Sequence, residues 1–388
     1  MNEQWLQAYL NLIKQLLDCV SEEELKAVLQ RHPKYMDRGL LTIMQQCTES
    51  LGSQGNREAG QLASAMGIAD AELEGTPKDL KQFLLAVSLL VKESLGAAQQ
   101  VYPFLAQYQE RLNEQLLQVL PQIAVRFLAG EPEQQQAIAS IFIRFGNLVK
   151  QLLLGQRWLN LELGITAYTL ALQVYTREAY PEGWAGTQNN LALAYSDRIR
   201  GERADNLEQA IATYQLALQV RTREAFPIDW AATQNNLALA YSERIRGERA
   251  DNLEQAIATY QLALQVRTRE AFPQQWAYTQ CNLAIAYSKR IRGERADNLE
   301  LSIAAYTLAL QVYTREAFPE NWAYTQYNLA IAYSERIRGE RADNLELSIA
   351  AYTLALQVYT REAFPENWAL TQKNLAVILT LYCRSARI

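Results

Sequence analysis

A hexapeptide that recurs without drift constrains this chain more than anything else in it. Thr-Arg-Glu-Ala-Phe/Tyr-Pro begins at Thr176, Thr222, Thr268, Thr314 and Thr360, in steps of 46 residues. A second phrase, Arg-Ile-Arg-Gly-Glu-Arg-Ala-Asp-Asn, keeps the same step from Arg198, Arg244, Arg290 and Arg336. Self-similarity at such a period means a stack of one supersecondary unit, in which no copy buries its apolar face alone. Five copies span residues 160–388, about three-fifths of the chain.

Each unit reads as two helices. The first is expected from Trp230 to about Arg246, because Trp230, Gln234, Leu237, Tyr241 and Ile245 share one side at helical spacing. Gly247 then stops it. The second is expected to start at Asp251, whose spacing to Glu254 is that of a capping box. Leu253, Ile257, Tyr260, Leu264 and Val266 give it an apolar stripe, Thr268 to Phe272 extend it, and Pro273 ends it. Neither segment alternates with the period of two that a strand needs. The fold class is all-α, an α-solenoid.

Asn-Leu-Ala-x-Ala-Tyr in the first helix and Ala-Ile-Ala-x-Tyr-x-x-Ala-Leu in the second resemble the tetratricopeptide (TPR) repeat. Leu237, Ala238 and Tyr241 match its first-helix signature; Ala256, Tyr260 and Ala263 match the small–aromatic–small spacing of its second. The usual repeat is about 34 residues. Here the excess is placed in the loop Gly247–Asp251 and in a lengthened second helix. The resemblance is to the long variant of kinesin light chains and of bacterial TPR proteins, some of which carry caspase-like CHAT peptidase domains. It implies a right-handed solenoid that binds a protein or peptide segment on the inner face of its first helices.

The expected organisation is an N-terminal helical region at 1–137, a degenerate opening repeat at 138–183, four full repeats at 184–367 and a capping helix at 368–388. In the opening repeat Phe145, Gly146 and Val149 stand where later copies have Leu, Ala and Tyr. Within the N-terminal region, Ser21 to Glu24 form a capping box, Thr76-Pro77 and Glu131-Pro132 open helices, and Gly52 to Asn56 form a turn.

Because the copies are nearly identical, the positions where they differ mark a candidate ligand face. Counting from the tryptophan as zero, position 2 is Gly186, Ala232, Tyr278, Tyr324 and Leu370. Position 5 is Asn189, Asn235, Cys281, Tyr327 and Lys373, and position 13 is Asp197, Glu243, Lys289 and Glu335. This suggests a groove that runs from small and polar to aromatic, with Tyr278, Tyr324 and Tyr327 as anchors beside Ile285 and Ile331. The alternative is that these tyrosines pack against the neighbouring repeat.

Position 6 is asparagine in every clear copy: Asn190, Asn236, Asn282, Asn328 and Asn374. Such amides suit capture of an extended peptide backbone, or equally a bond to a neighbouring helix. The loop arginines form a charge ladder with nearby acids; Arg246, Arg292 and Arg338 at the groove rim are the ones placed to grip a carboxylate.

The exclusions are broad. The chain has 388 residues and a net charge of −5, which argues against a dedicated nucleic-acid binder. There is one histidine, His32, in a helix-ending context, and the four cysteines Cys19, Cys47, Cys281 and Cys383 are scattered. Metal-ligand spacing, phosphate loops and nucleophile elbows are absent from the sequence. Cys281, without a nearby histidine, reads as an apolar contact. The longest apolar run, Phe83 to Val91, is well short of a spanning helix, and no targeting signal opens the chain. The expectation is a cytoplasmic, non-enzymatic scaffold or adaptor that needs no cofactor and contacts neither nucleic acid nor membrane. Two other roles stay open: a regulatory or substrate-recognition subunit of a separate enzyme such as a CHAT-type peptidase, and a self-assembling structural protein that forms homo-oligomers.

Overall fold

The computed structural model describes residues 3–19, 21–32, 44, 76–128 and 131–385. Among the described residues there are sixteen α-helices and no strand. The chain divides into two compact units: residues 1–130 with 152–155, and residues 131–151 with 156–388. Gly52 to Asn56 and Cys47 lie outside the described residues.

The first unit contains α1 (Glu3–Leu17), α2 (Glu22–Arg31), α3 (Thr76–Glu93), α4 (Ala98–Gln107) and α5 (Glu114–Phe127). The Ser21 hydroxyl caps α2 by accepting the Glu24 N–H at 3.2 Å. Tyr9, Leu12, Leu16, Leu25 and Leu29 form one buried cluster of this unit. His32 ends α2 half-buried, its Nε2 3.2 Å from Gln15 Oε1.

The second unit is the repeat array. It opens with α6 (Pro132–Gln151) and α7 (Arg157–Ala171). The first helices that follow are α8 (Pro181–Asp197), α10 (Pro227–Glu243), α12 (Pro273–Lys289), α14 (Pro319–Glu335) and α16 (Pro365–Ser385). Between them lie the second helices α9 (Arg203–Leu218), α11 (Arg249–Leu264), α13 (Arg295–Ala309) and α15 (Arg341–Ala355). Consecutive pairs pack in a solenoid-like array.

The helix boundaries differ from the sequence reading in ways that proline and glycine chemistry explains. Pro273 does not end the second helix, which stops at Leu264; it opens the next first helix, where its missing N–H costs nothing. Thr268 to Phe272 form a turn in which the Thr268 Oγ1 accepts the Ala271 N–H at 3.2 Å. The second helix, at 16 residues, is no longer than the first, at 17, and the connections 244–248 and 265–272 take up the rest of the repeat. The first helix ends at Glu243, so Ile245 falls in the loop and is exposed. Gly247 has φ +79°, a left-handed conformation that favours glycine.

The second helix begins at Arg249, two residues before Asp251, and no side chain caps it. Asn252 performs the tie instead. Its Nδ2 donates to the carbonyls of Arg246 at 2.8 Å and Arg244 at 3.3 Å, pinning the glycine loop to the helix start. The same bonds recur at Asn206, Asn298 and Asn344.

One tyrosine per second helix fills the core: Tyr168, Tyr214, Tyr260, Tyr306 and Tyr352 are all at most 2% exposed. Burial pushes the phenols of Tyr168, Tyr214, Tyr260, Tyr306 and Tyr352 well above their ordinary range. Each faces a small residue of the first helix, for example Ala238 against Tyr260. In the opening pair that residue is Gly146, where an added Cβ would meet the Tyr168 ring at 2.7 Å. The glycine that looked like a degenerate signature is thus a close packing contact.

Candidate functional site

The first helices carry one stripe that stays open. Tyr278 and Tyr324 at position 2 are each 45% exposed, and Leu370 is comparably exposed. Lys289 is exposed, while Ile285 and Ile331 are partly buried and lean on the cores of their repeats. These positions follow one another at helical spacing, so Tyr278, Asn282, Ile285 and Lys289 line up along α12.

Position 5 is buried at Asn235 and Cys281, half-buried at Asn189 and Tyr327 and exposed at Lys373, which corrects the reading of Cys281 as a groove residue. Asn235 is buried and its Oδ1 takes a bond from the Thr279 hydroxyl of the next repeat at 3.1 Å. Cys281 is 3% exposed, with Sγ 3.3 Å from Thr325 Oγ1, and burial raises its thiol pKa to about 11. A thiol so held stays protonated at neutral pH and is no nucleophile. The Tyr327 ring packs edge-on against Tyr352 at 5.6 Å, and its hydroxyl accepts from Asn374 Nδ2 at 2.9 Å. Position 5 differs between copies because neighbouring helices are matched there.

The five asparagines do not form a uniform ladder. Asn190 donates to Asn147 at 3.2 Å and Asn236 accepts from Asn235 at 3.4 Å. Asn328 donates to the Tyr324 carbonyl at 2.8 Å, and Asn374 to Tyr327 as above. The Asn282 Nδ2 is buried without an acceptor.

The rim arginines are engaged. Arg246, Arg292 and Arg338 pair with Asp205, Asp251 and Asp297, each in the preceding second helix. A second rung pairs Arg198, Arg244, Arg290 and Arg336 with Glu162, Glu208, Glu254 and Glu300, through two bonds each at 2.6–2.8 Å. These two-pronged contacts hold the Glu208, Glu254 and Glu300 carboxyls below the usual carboxylate range. The charged loops thus tie repeat to repeat.

Two residues that the first-helix comparison passed over sit beside the open stripe. Arg221 donates to Thr233 Oγ1 at 3.1 Å and pairs with Asp229 at 3.2 Å. A Cβ on Gly186 would lie 3.4 Å from its Nη2, so the guanidinium rests on position 2 of the previous first helix. Arg267 donates to Thr279 at the same 3.1 Å, but Gln275 replaces the aspartate. In the next two copies the residue is Tyr313 or Tyr359, both buried. The signal was in the sequence: Tyr175, Arg221, Arg267, Tyr313 and Tyr359 vary in the turn just before the repeated threonine.

No group of three or more metal-ligating side chains exists among the described residues, and none of their helices is long and apolar enough to cross a membrane. A family model described as a tetratricopeptide repeat matches residues 184–222 and 230–268. No curated protein matches the chain.

Proposed function

We propose that this chain, two repeats of which match the tetratricopeptide model, is a non-enzymatic adaptor that holds a peptide or protein segment along the open stripe of its first helices. Repeats of this family generally mediate protein–protein interaction, which supports the class of role. The observation that carries the reading is the pair Tyr278 and Tyr324, two large side chains at the same register of successive helices, each left 45% exposed while their neighbours are buried. Tyrosine offers wide contact area for few frozen rotors, and its hydroxyl orients a polar partner. Leu370 continues the row, and Ile285 and Ile331 form its floor.

The backbone beneath the row is fixed by the tyrosine cores and by the inter-repeat ion pairs, so the anchors are presented in a set geometry. Such preorganisation lowers the entropy lost on binding. The test is a quantitative pull-down from native lysate with wild type and a Tyr278→Ala/Tyr324→Ala variant of unchanged circular dichroism. A protein retained by wild type and lost from the variant is expected. Identical captured sets would overturn the reading.

A further inference from the structure

Among the first helices from α8 to α14, the charge pattern breaks at one helix. The first helices α8, α10 and α14 each carry two acids: Glu182 and Asp197, Asp229 and Glu243, Glu320 and Glu335. Helix α12 carries none, and ends in Lys289. Two arginines lose their carboxylates as a result.

The first is Arg267. Its counterpart Arg221 is neutralised by Asp229, whereas Arg267 has only the Thr279 hydroxyl, because Gln275 stands in the aspartate's place. It is half-buried, and burial pulls its guanidinium below the ordinary arginine range, with Tyr278 and Tyr313 as the groups that oppose the shift. The second is Arg249. Arg203 pairs with Glu243, and Arg295 with Glu335, across the repeat boundary. In that ladder the partner position for Arg249 is filled by Lys289, and its guanidinium bonds only the Ser242 carbonyl at 2.6 Å.

In a chain of net charge −5, one open stripe therefore has an uncompensated cation at each end. Both ends lie along the helix that bears the exposed Tyr278: Arg267, in the turn before it, donates to its Thr279, and Lys289 is its last residue. The eleven-residue interval from Tyr278 to Lys289 spans about 16 Å at the helical rise, which about five residues of extended chain cover.

We propose that α12 is the specificity site of the groove, and that it takes an acidic peptide segment: one side-chain carboxylate on Arg267 beside Tyr278, and a second, about five residues on, at Lys289 and Arg249. This rests on the groove reading above. A partly buried guanidinium without a counter-ion is costly in the free protein and is relieved when a carboxylate docks. The same cations discriminate against basic or neutral segments.

The test uses the full chain and two fluorescein-labelled, amide-capped decapeptides. One has glutamates five residues apart with leucines between them; the other has glutamines in their place. Fluorescence anisotropy is expected to show the glutamate peptide binding about tenfold or more tightly than the glutamine peptide, with affinity falling as salt rises. Gln275→Asp rebuilds the arrangement at Asp229, and Lys289→Glu that at Glu243, so both variants copy folded neighbours. Each is expected to weaken the glutamate peptide several-fold, and the double variant to bring it to the glutamine level.

Equal affinity for the two peptides, no saturable binding of the glutamate peptide, or indifference to both substitutions would overturn the proposal. Equal affinities that both vanish in Tyr278→Ala/Tyr324→Ala would remove the acidic preference and leave the groove standing. A preference for glutamate that survives the tyrosine substitutions would leave the charged site and remove the aromatic groove.

Discussion

The two halves of the repeat array share one scaffold and differ in matched sets. In the leading half, position 2 is small, Gly186 or Ala232, and the turn residue beside it is Arg221 or Arg267. In the trailing half, position 2 is Tyr278 or Tyr324, and the turn residue is Tyr313 or Tyr359. The first helices of both halves keep the same limits relative to the repeat and the second helices the same start, and the same tyrosine, asparagine and glycine fix them. Position 2, half-buried or exposed, and a turn position that is half-buried or buried have thus been exchanged together, while the first helices keep their places. This is expected where each repeat is stabilised by its own packing and its nearest neighbours.

If the scaffold is common, core truncation must hurt both halves alike. Tyr260→Ala and Tyr306→Ala are each expected to cost about 3–5 kcal/mol in chemical denaturation, and to agree within the error of the measurement. A clear inequality would break the comparison. The loop tie comes next. Gly247→Ala forces a side chain into the left-handed region, and Asn252→Ala frees two carbonyls; each is expected to cost about 1–2 kcal/mol, as are Gly293→Ala and Asn298→Ala one repeat later.

The ion-pair rungs are smaller. Arg290→Ala is expected to cost no more than about 1 kcal/mol, since the pair keeps roughly a quarter of its side-chain surface in water. The pH dependence has a definite sign. Glu208, Glu254 and Glu300 are held below their unfolded values, so their contribution is complete above the ordinary carboxylate range and is lost as pH falls through it towards the folded values. Denaturation at successive pH values should show this loss on the acid side, and a Glu208→Gln/Glu254→Gln/Glu300→Gln variant should flatten it.

The smallest expected change is at the surface. Tyr278→Ala should shift stability by under about 0.5 kcal/mol, a contrast with Tyr260→Ala that separates ligand face from core. Thiol labelling sharpens the same contrast: at neutral pH Cys383, exposed, should be alkylated well before Cys281, which burial keeps protonated. Mass spectrometry of the labelled chain reads both.

The sequence by itself determined the repeat, its period and its helical character, because apolar spacing and the 46-residue step are local and repeated. It also singled out Tyr278, Tyr324 and Lys289 against near-identical copies, and all three are exposed. It also allowed a ladder of charges between loops, and the ladder is there.

What only tertiary structure decided is which variable residues face solvent and which face the next helix. Cys281 varies as the anchors do, yet it is buried against Thr325 of the next repeat, because a position between two helices is matched to its neighbour as closely as a surface position is matched to a ligand. Pro273 and Asp251 were ambiguous for a different reason. A proline both ends and begins helices, and an acid near a helix start caps it only if the chain turns there. Arg267 sits in a turn and Gln275 in the helix that follows, and the loss of the carboxylate there gains meaning only once the fold sets them against Arg221 and Asp229. Spacing fixes what is periodic along one chain segment, while burial and pairing are properties of two segments meeting.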